Sequence, residues 1–144
     1  MKTDVLKTFA MLTLLLILTA VSVAAQSERT GITNIPFSFS VGGKTLPAGE
    51  YTVEPNRRDS DKVWLVQSKS GHTSALFTTM SVRSIETQEK TKLVFHRYGD
   101  RYFLSQIWTV GANSGRELLM PRQERELAKN TIASETVVLV EGLQ

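Results

Sequence analysis

Apolar and polar residues alternate through much of the chain beyond residue 34. In Ile35 to Val41, IPFSFSV, the residues Ile35, Phe37, Phe39 and Val41 fall on one side, and Pro36, Ser38 and Ser40 on the other. That period of two is the mark of a half-buried strand. Pro36 has no N–H to give a ladder, so it belongs at a strand start or an edge. Gly42-Gly43 turns the chain, and Leu46-Pro47-Ala48-Gly49 reads as a proline turn. Glu50 to Glu54 resumes the pattern with Tyr51 and Val53 inward. Val63 to Ser68 and Thr73 to Thr79 form a hairpin about Lys69-Ser70-Gly71-His72. Beyond it, Val82 and Ile85 are placed to extend a strand, whereas Ser84 to Lys90 reads as a polar loop.

The strongest local signal is Lys92 to Val110, KLVFHRYGDRYFLSQIWTV. Two runs rich in aromatic and branched residues flank Gly99-Asp100, and glycine supplies the positive φ that a type II′ turn needs. Pairing outward from the turn opposes Tyr98 to Arg101, Arg97 to Tyr102, His96 to Phe103, Phe95 to Leu104 and Leu93 to Gln106. Both faces of this hairpin are partly apolar: Leu93, Phe95, Leu104 and Trp108 on one, Val94, Tyr98, Phe103 and Ile107 on the other.

A loop, Gly111 to Gly115, follows. Ser114-x-x-Glu117 has the form of a capping box, but Pro121 would break a helix begun there. Pro121 to Lys129 holds good helix formers with Pro at the first position. Its few apolar residues, chiefly Leu127 and Ala128, predict a surface helix. Glu135 to Val140 ends in four consecutive apolar residues, a final strand expected to be covered on both faces or to have one face under the helix. Seven strands with close turn signals and one helix predict an all-β, mainly antiparallel single domain, either a β-sandwich or a small β-barrel, with one short surface helix.

The first residues read differently. Lys2 and Lys7 precede an apolar run from Phe9 to Val23, and Val23-Ala24-Ala25 places small residues at a cleavage site. The run is shorter than the roughly 20 residues of a spanning helix. We therefore expect a signal peptide over residues 1–25, a flexible leader over 26–34, and a β domain over 35–144, exported to the periplasm or beyond the cell. A membrane partner would arise only through an uncleaved signal segment. The chain contains no cysteine, which excludes disulfides, thiolate zinc sites and thiol nucleophiles. The net charge is +3; Arg57-Arg58 and Arg122/Arg125 are interleaved with acids, so no basic stripe for nucleic acid is present.

IPFSFSVGGKTLPAGEYTVE, with its phenylalanine-rich strand and L-P-A-G-x-Y at Leu46 to Tyr51, resembles the start of a group of small secreted bacterial proteins. LVFHRYGDRYFLSQIW and RQERELAK are similar to the same group. The group is uncharacterised, so the resemblance implies export and a β fold and carries over no catalytic or binding residue.

Local motifs yield no chemistry. His72 and His96 are the only imidazoles, and no spacing supplies the three or four ligands a metal site wants. No G-x-S-x-G occurs. Ser114 sits in a loop, and Asp59 and Asp61 sit in a hydrophilic one. Catalytic, cofactor and metal residues are thus assigned to none. Arg97 and Tyr102, opposed as a cation–π pair, read first as sheet cohesion and His96 as a sheet residue stacking near Phe103; the second reading makes Arg97, Tyr102 and His96 the candidates for contact with a ligand or partner. The resulting expectation is a non-enzymatic exported β domain acting as a binding or envelope-associated module, with an unknown protein as partner. A small barrel carrying an apolar ligand is the alternative, and a hydrolase comes third.

Overall fold

A computed structural model describes residues 3–4, 31–56, 58 and 61–140. The expected signal peptide lies outside these residues, save for Thr3 and Asp4. Among the described residues there are ten strands and one helix. They are β1 (Ile32–Ile35), β2 (Phe39–Val41), β3 (Lys44–Leu46), β4 (Gly49–Pro55), β5 (Val63–Ser68), β6 (Ser74–Arg83), β7 (Lys92–Tyr98), β8 (Arg101–Trp108), β9 (Ser114–Leu118), α1 (Arg122–Ala128) and β10 (Ser134–Leu139). The fold is all-β with one short helix, as the alternation predicts.

The ladders run β1-β4-β5-β6-β9-β8, and β8 continues through β7 to β10. All of these pairs are antiparallel. On the edge it shares with β9, β8 also pairs with β2, in parallel, and β3 follows β2 as a hairpin. Strand β10 comes back beside β1, where Thr33 Oγ1 donates to the Leu139 carbonyl at 3.2 Å. The sheet therefore curls until its ends meet, yet a side chain bridges that seam and the backbone ladder stays open.

The inward face is apolar and filled. Ile35, Phe39, Leu46, Tyr51, Val66, Leu93 and Phe95 are each 2% exposed or less. Phe39 meets Tyr51 and Phe95 edge-on, with centroids 5.2 and 5.6 Å apart, the geometry aromatic quadrupoles favour.

Several expectations are corrected. The strand expected over Ile35 to Val41 is two: the chain leaves β4's edge at Pro36 and joins β8 at Phe39. A proline with no N–H to offer suits that crossing, and the alternation survives it, since Phe37 still packs against the core. The ordered domain also begins earlier than Ile35, because Ile32 to Asn34 pair with Thr52 to Glu50. Ser114 to Leu118 is a strand and not a helix cap. It completes the ladders of both β6 and β8, and Trp108 lies so close over Gly115 that a Cβ there would sit 2.6 Å from the indole. Finally, β10 is covered on one face only: Val138 and Val140 pack on the core, while Val137 and Leu139 remain about half exposed.

The central hairpin keeps the expected register from Tyr98↔Arg101 to Phe95↔Leu104. Gly99 has φ +60°, and no non-glycine among the described residues has positive φ, as a type II′ turn requires. Beyond Phe95 a bulge intervenes. Val94 faces Gln106 and Leu93 faces Ile107, so Ser105 is the extra residue. The bulge sets Leu93, Phe95, Leu104 and Ile107 together on the inner face, correcting the division of faces expected from strict alternation.

Candidate functional site

The three residues expected to make contacts do not form one site. Arg97 and Tyr102 oppose each other across the hairpin, with the guanidinium carbon 5.4 Å from the ring centroid. Phe37 stacks on the same ring at 3.8 Å and 13°, and Arg97 Nε donates to the Gly99 carbonyl at 2.8 Å. The tyrosine ring is engaged by its own neighbours, so the pair acts as sheet cohesion. His96 lies one residue from Arg97 along β7 and therefore points to the opposite face of the sheet.

There His96 stands between two other elements. Its Nδ1 is 2.6 Å from Glu124 Oε1 on α1, and its Nε2 is 3.1 Å from Ser105 Oγ on β8. The Tyr98 hydroxyl donates to the same carboxylate oxygen at 3.2 Å. An ionised carboxylate can only accept, so Nδ1 carries the proton in the neutral imidazole and Nε2 accepts from the serine hydroxyl. Glu124 is 2% exposed and Ser105 is 5% exposed, whereas the His96 side chain keeps about a quarter of its surface open, at 24%. Burial, then the Glu124 charge, then the hydrogen bond to it all raise the Tyr98 phenol above its ordinary value. Among the described residues no buried side-chain nitrogen or oxygen lacks a partner.

Local sequence explains each position. His96 and Tyr98 are two apart on β7 and share its outer face. Ser105 is the bulged residue, and a bulge re-aims the side chain it adds. Glu124 and Leu127 are three apart on α1 and share the face turned to the sheet. The Ser–His–Glu chain joins residues 96, 105 and 124, which no local motif spans. One signal did point to the bulge: Leu93 and Phe95 are two apart while Leu104 and Ile107 are three apart, so facing strands cannot keep one register.

Two clefts border this sheet. One of about 480 Å³ is lined by Pro47 to Tyr51 and by Ser68, Lys69, Ser70 and Thr73, with a Lys69–Glu50 ion pair at 3.0 Å among them. The other, about 230 Å³, opens where the sheet splits. Strand β8 pairs with β2 at Tyr102 and Phe103 and with β9 only from Gln106. Between them the cleft is lined by Phe103, Leu104, Phe77, Leu118, Leu119 and Pro121, with Gly42-Gly43 also on its wall. Among the described residues no group of three or more His, Asp or Glu is placed to hold a metal ion. No protein-family model matches this sequence, and neither a curated protein nor a solved structure matches it.

Proposed function

We propose that this chain is an exported binding or envelope-associated module that engages a partner through its outer surface, and that it belongs with the secreted bacterial group its sequence resembles. The observation that carries the reading is the filled interior. Aromatic rings at Phe39, Tyr51 and Phe95 occupy the space where a carrier would hold its ligand. The split-sheet cleft, at about 230 Å³, falls below the roughly 300–1,000 Å³ usual for ligand pockets. The larger cleft is an open groove on the surface beside the turn at Pro47-Ala48 and the turn after Ser68. Exposed Leu119 lines the smaller cleft, exposed Met120 follows it in sequence, and Leu76 is exposed on the face of β6 opposite the lining residue Phe77. Apolar side chains gathered beside a concavity favour association. Export rests on the charged and apolar pattern of residues 1–25.

The test is affinity capture from the native envelope, comparing the wild-type chain with a Leu76→Asp/Leu119→Asp variant. A protein retained by the first and lost by the second is expected. One apolar small molecule bound per chain, with no protein retained, would favour the carrier instead. Intact mass of exported material should begin at Gln26; recovery of residues 1–25 attached to the chain in membranes would defeat the processing assignment.

A further inference from the structure

We infer that Ser105 is an activated nucleophile capable of acyl transfer on small esters, with His96 as its base and Glu124 as the residue that positions the imidazole. This adds an activity to the binding reading and does not depend on it. Four observations converge. The order of groups is that of a hydroxyl activated by a base that a third group orients: Ser105 Oγ at 3.1 Å from Nε2, and Nδ1 at 2.6 Å from a buried carboxylate. The carboxylate is held by a second donor, Tyr98, which fixes the face it presents to His96. The serine sits on a β-bulge, a device common beside active sites. And the cleft at the sheet's split is lined by Phe103 and Leu104, next to Ser105 in sequence, and by Pro121, which precedes α1, while Ser105, His96 and Glu124 themselves lie behind that lining.

The interrupted edge matters for the oxyanion. On that side β8 changes partner between Phe103 and Gln106, from β2 to β9, so Leu104 and Ser105 lie at the break between the two ladders. Backbone N–H donors beside a nucleophile are what a tetrahedral oxyanion requires. The apolar lining from Leu104, Leu118 and Leu119 suits a short alkyl acyl group.

The step balances without an outside reagent. Ser105 Oγ bonds to the ester carbon, the carbonyl π pair moves to oxygen, and the hydroxyl proton goes to His96 Nε2. Collapse of that intermediate breaks the bond to the alcohol oxygen, which leaves with the proton from Nε2. Water then attacks the acyl carbon with His96 again taking the proton, and a carboxylic acid departs from a regenerated serine.

Incubation of the folded chain with a small ethyl fluorophosphonate, followed by intact-mass and peptide analysis, tests the inference. One adduct per chain, mapped to Ser105, is expected. Ser105→Ala should abolish it, and His96→Ala should slow it at least about 100-fold, in the range general-base catalysis contributes. Glu124→Gln leaves a side-chain oxygen for Tyr98 and should also slow labelling, at a melting point close to wild type. Hydrolysis of p-nitrophenyl butyrate should fall with Ser105→Ala to the rate in buffer. No adduct on folded wild-type protein would overturn the inference. So would an adduct at another residue, or equal labelling rates in wild type and a folded His96→Ala variant. Those last outcomes would leave the Ser–His–Glu chain as a fastening for α1 alone.

Discussion

Replacing Glu124 with alanine should detach α1 from the sheet. The helix has only seven residues and no side-chain bond at its N-cap, Pro121. Isolated helices shorter than roughly 12–15 residues are marginal in water, so docking must hold it. Its contact with the sheet is polar at the centre: Glu124 accepts from both His96 and Tyr98, while Leu127 is only partly buried. Hydrogen bonds to a charged group contribute about 1.5–3 kcal/mol each, and breaking a buried pair costs about 3–5 kcal/mol. The quarter of His96 that is exposed lowers this, and about 2–4 kcal/mol is expected after that discount. The loss has a ceiling. Once α1 swings away, His96 and Tyr98 meet water and no longer count as unpaired, so the total cannot exceed the docking free energy of the segment. The effect is therefore local before it is global. Hydrogen exchange should show amides 122–128 losing protection while β7 and β8 keep theirs, and urea melts should shift by an amount within that range. A double-mutant cycle with Tyr98→Phe should give a coupling of about 0.5–3 kcal/mol. Unchanged protection over 122–128, together with a stability change under about 0.5 kcal/mol, the scatter of ordinary surface substitutions, would refute the docking account.

Gly99→Val should destabilise the domain by more than about 1 kcal/mol, since Gly99 sits at φ +60° with open space around it and a β-branched residue resists that backbone rather than any neighbour; coincident urea melts would contradict this. Ending the chain at Ser134 removes the partly buried Val138 and Val140 from the core and leaves β7 unpaired on one edge, a loss of about 1.5–3 kcal/mol for two half-buried branched side chains. A truncated protein with a cooperative melt near that of the full chain would make the segment dispensable. Burial raises the phenols of both Tyr51 and Tyr98. A group with a raised folded pKa gives its full stability below the unfolded value, so stability should hold up to about pH 10 and fall as pH climbs from there through the folded values. In absorbance titration at alkaline pH, Tyr51→Phe and Tyr98→Phe should each remove a late-titrating component; early titration of both would oppose it.

Where a structural feature depends on neighbours in sequence, the residues announce it. Alternation at Tyr51 and Val53, glycine at the hairpin turn and helix formers after Pro121 all led to elements that exist where expected. Where the feature depends on distant partners, they do not. Ser114-x-x-Glu117 obeys the local grammar of a cap, but β6 and β8 both need a neighbour there and the indole of Trp108 needs a residue without a side chain. Val137 to Leu139 looks uniformly apolar, and only the fold shows that one face of β10 meets the core while the other is left open. The polar chain through residues 96, 105 and 124 is the extreme case. Serine at the bulge, histidine in a strand and glutamate in a charged helix each have an ordinary reading alone, and only the fold puts them within hydrogen-bond distance.

The same bonds that fasten α1 also fix the imidazole, and the two roles make different demands on charge. Fastening needs an acceptor for two donors, which a neutral amide oxygen partly supplies. Activation needs an anion, because the imidazolium formed when Nε2 takes a proton must be stabilised through Nδ1. A helix docked by area alone would carry leucines at positions 124 and 127. This one keeps a carboxylate, buried to 2% exposure, at a site where well-packed apolar residues are often as stable or more so. Glutamate at that place is thus poorly explained by stability. Glu124→Leu sharpens the point. If α1 is only fastened there, the leucine variant should melt near wild type once Tyr98→Phe, His96→Phe and Ser105→Ala remove the polar groups it would strand. That variant should bind any surface partner as before and lose only ester hydrolysis.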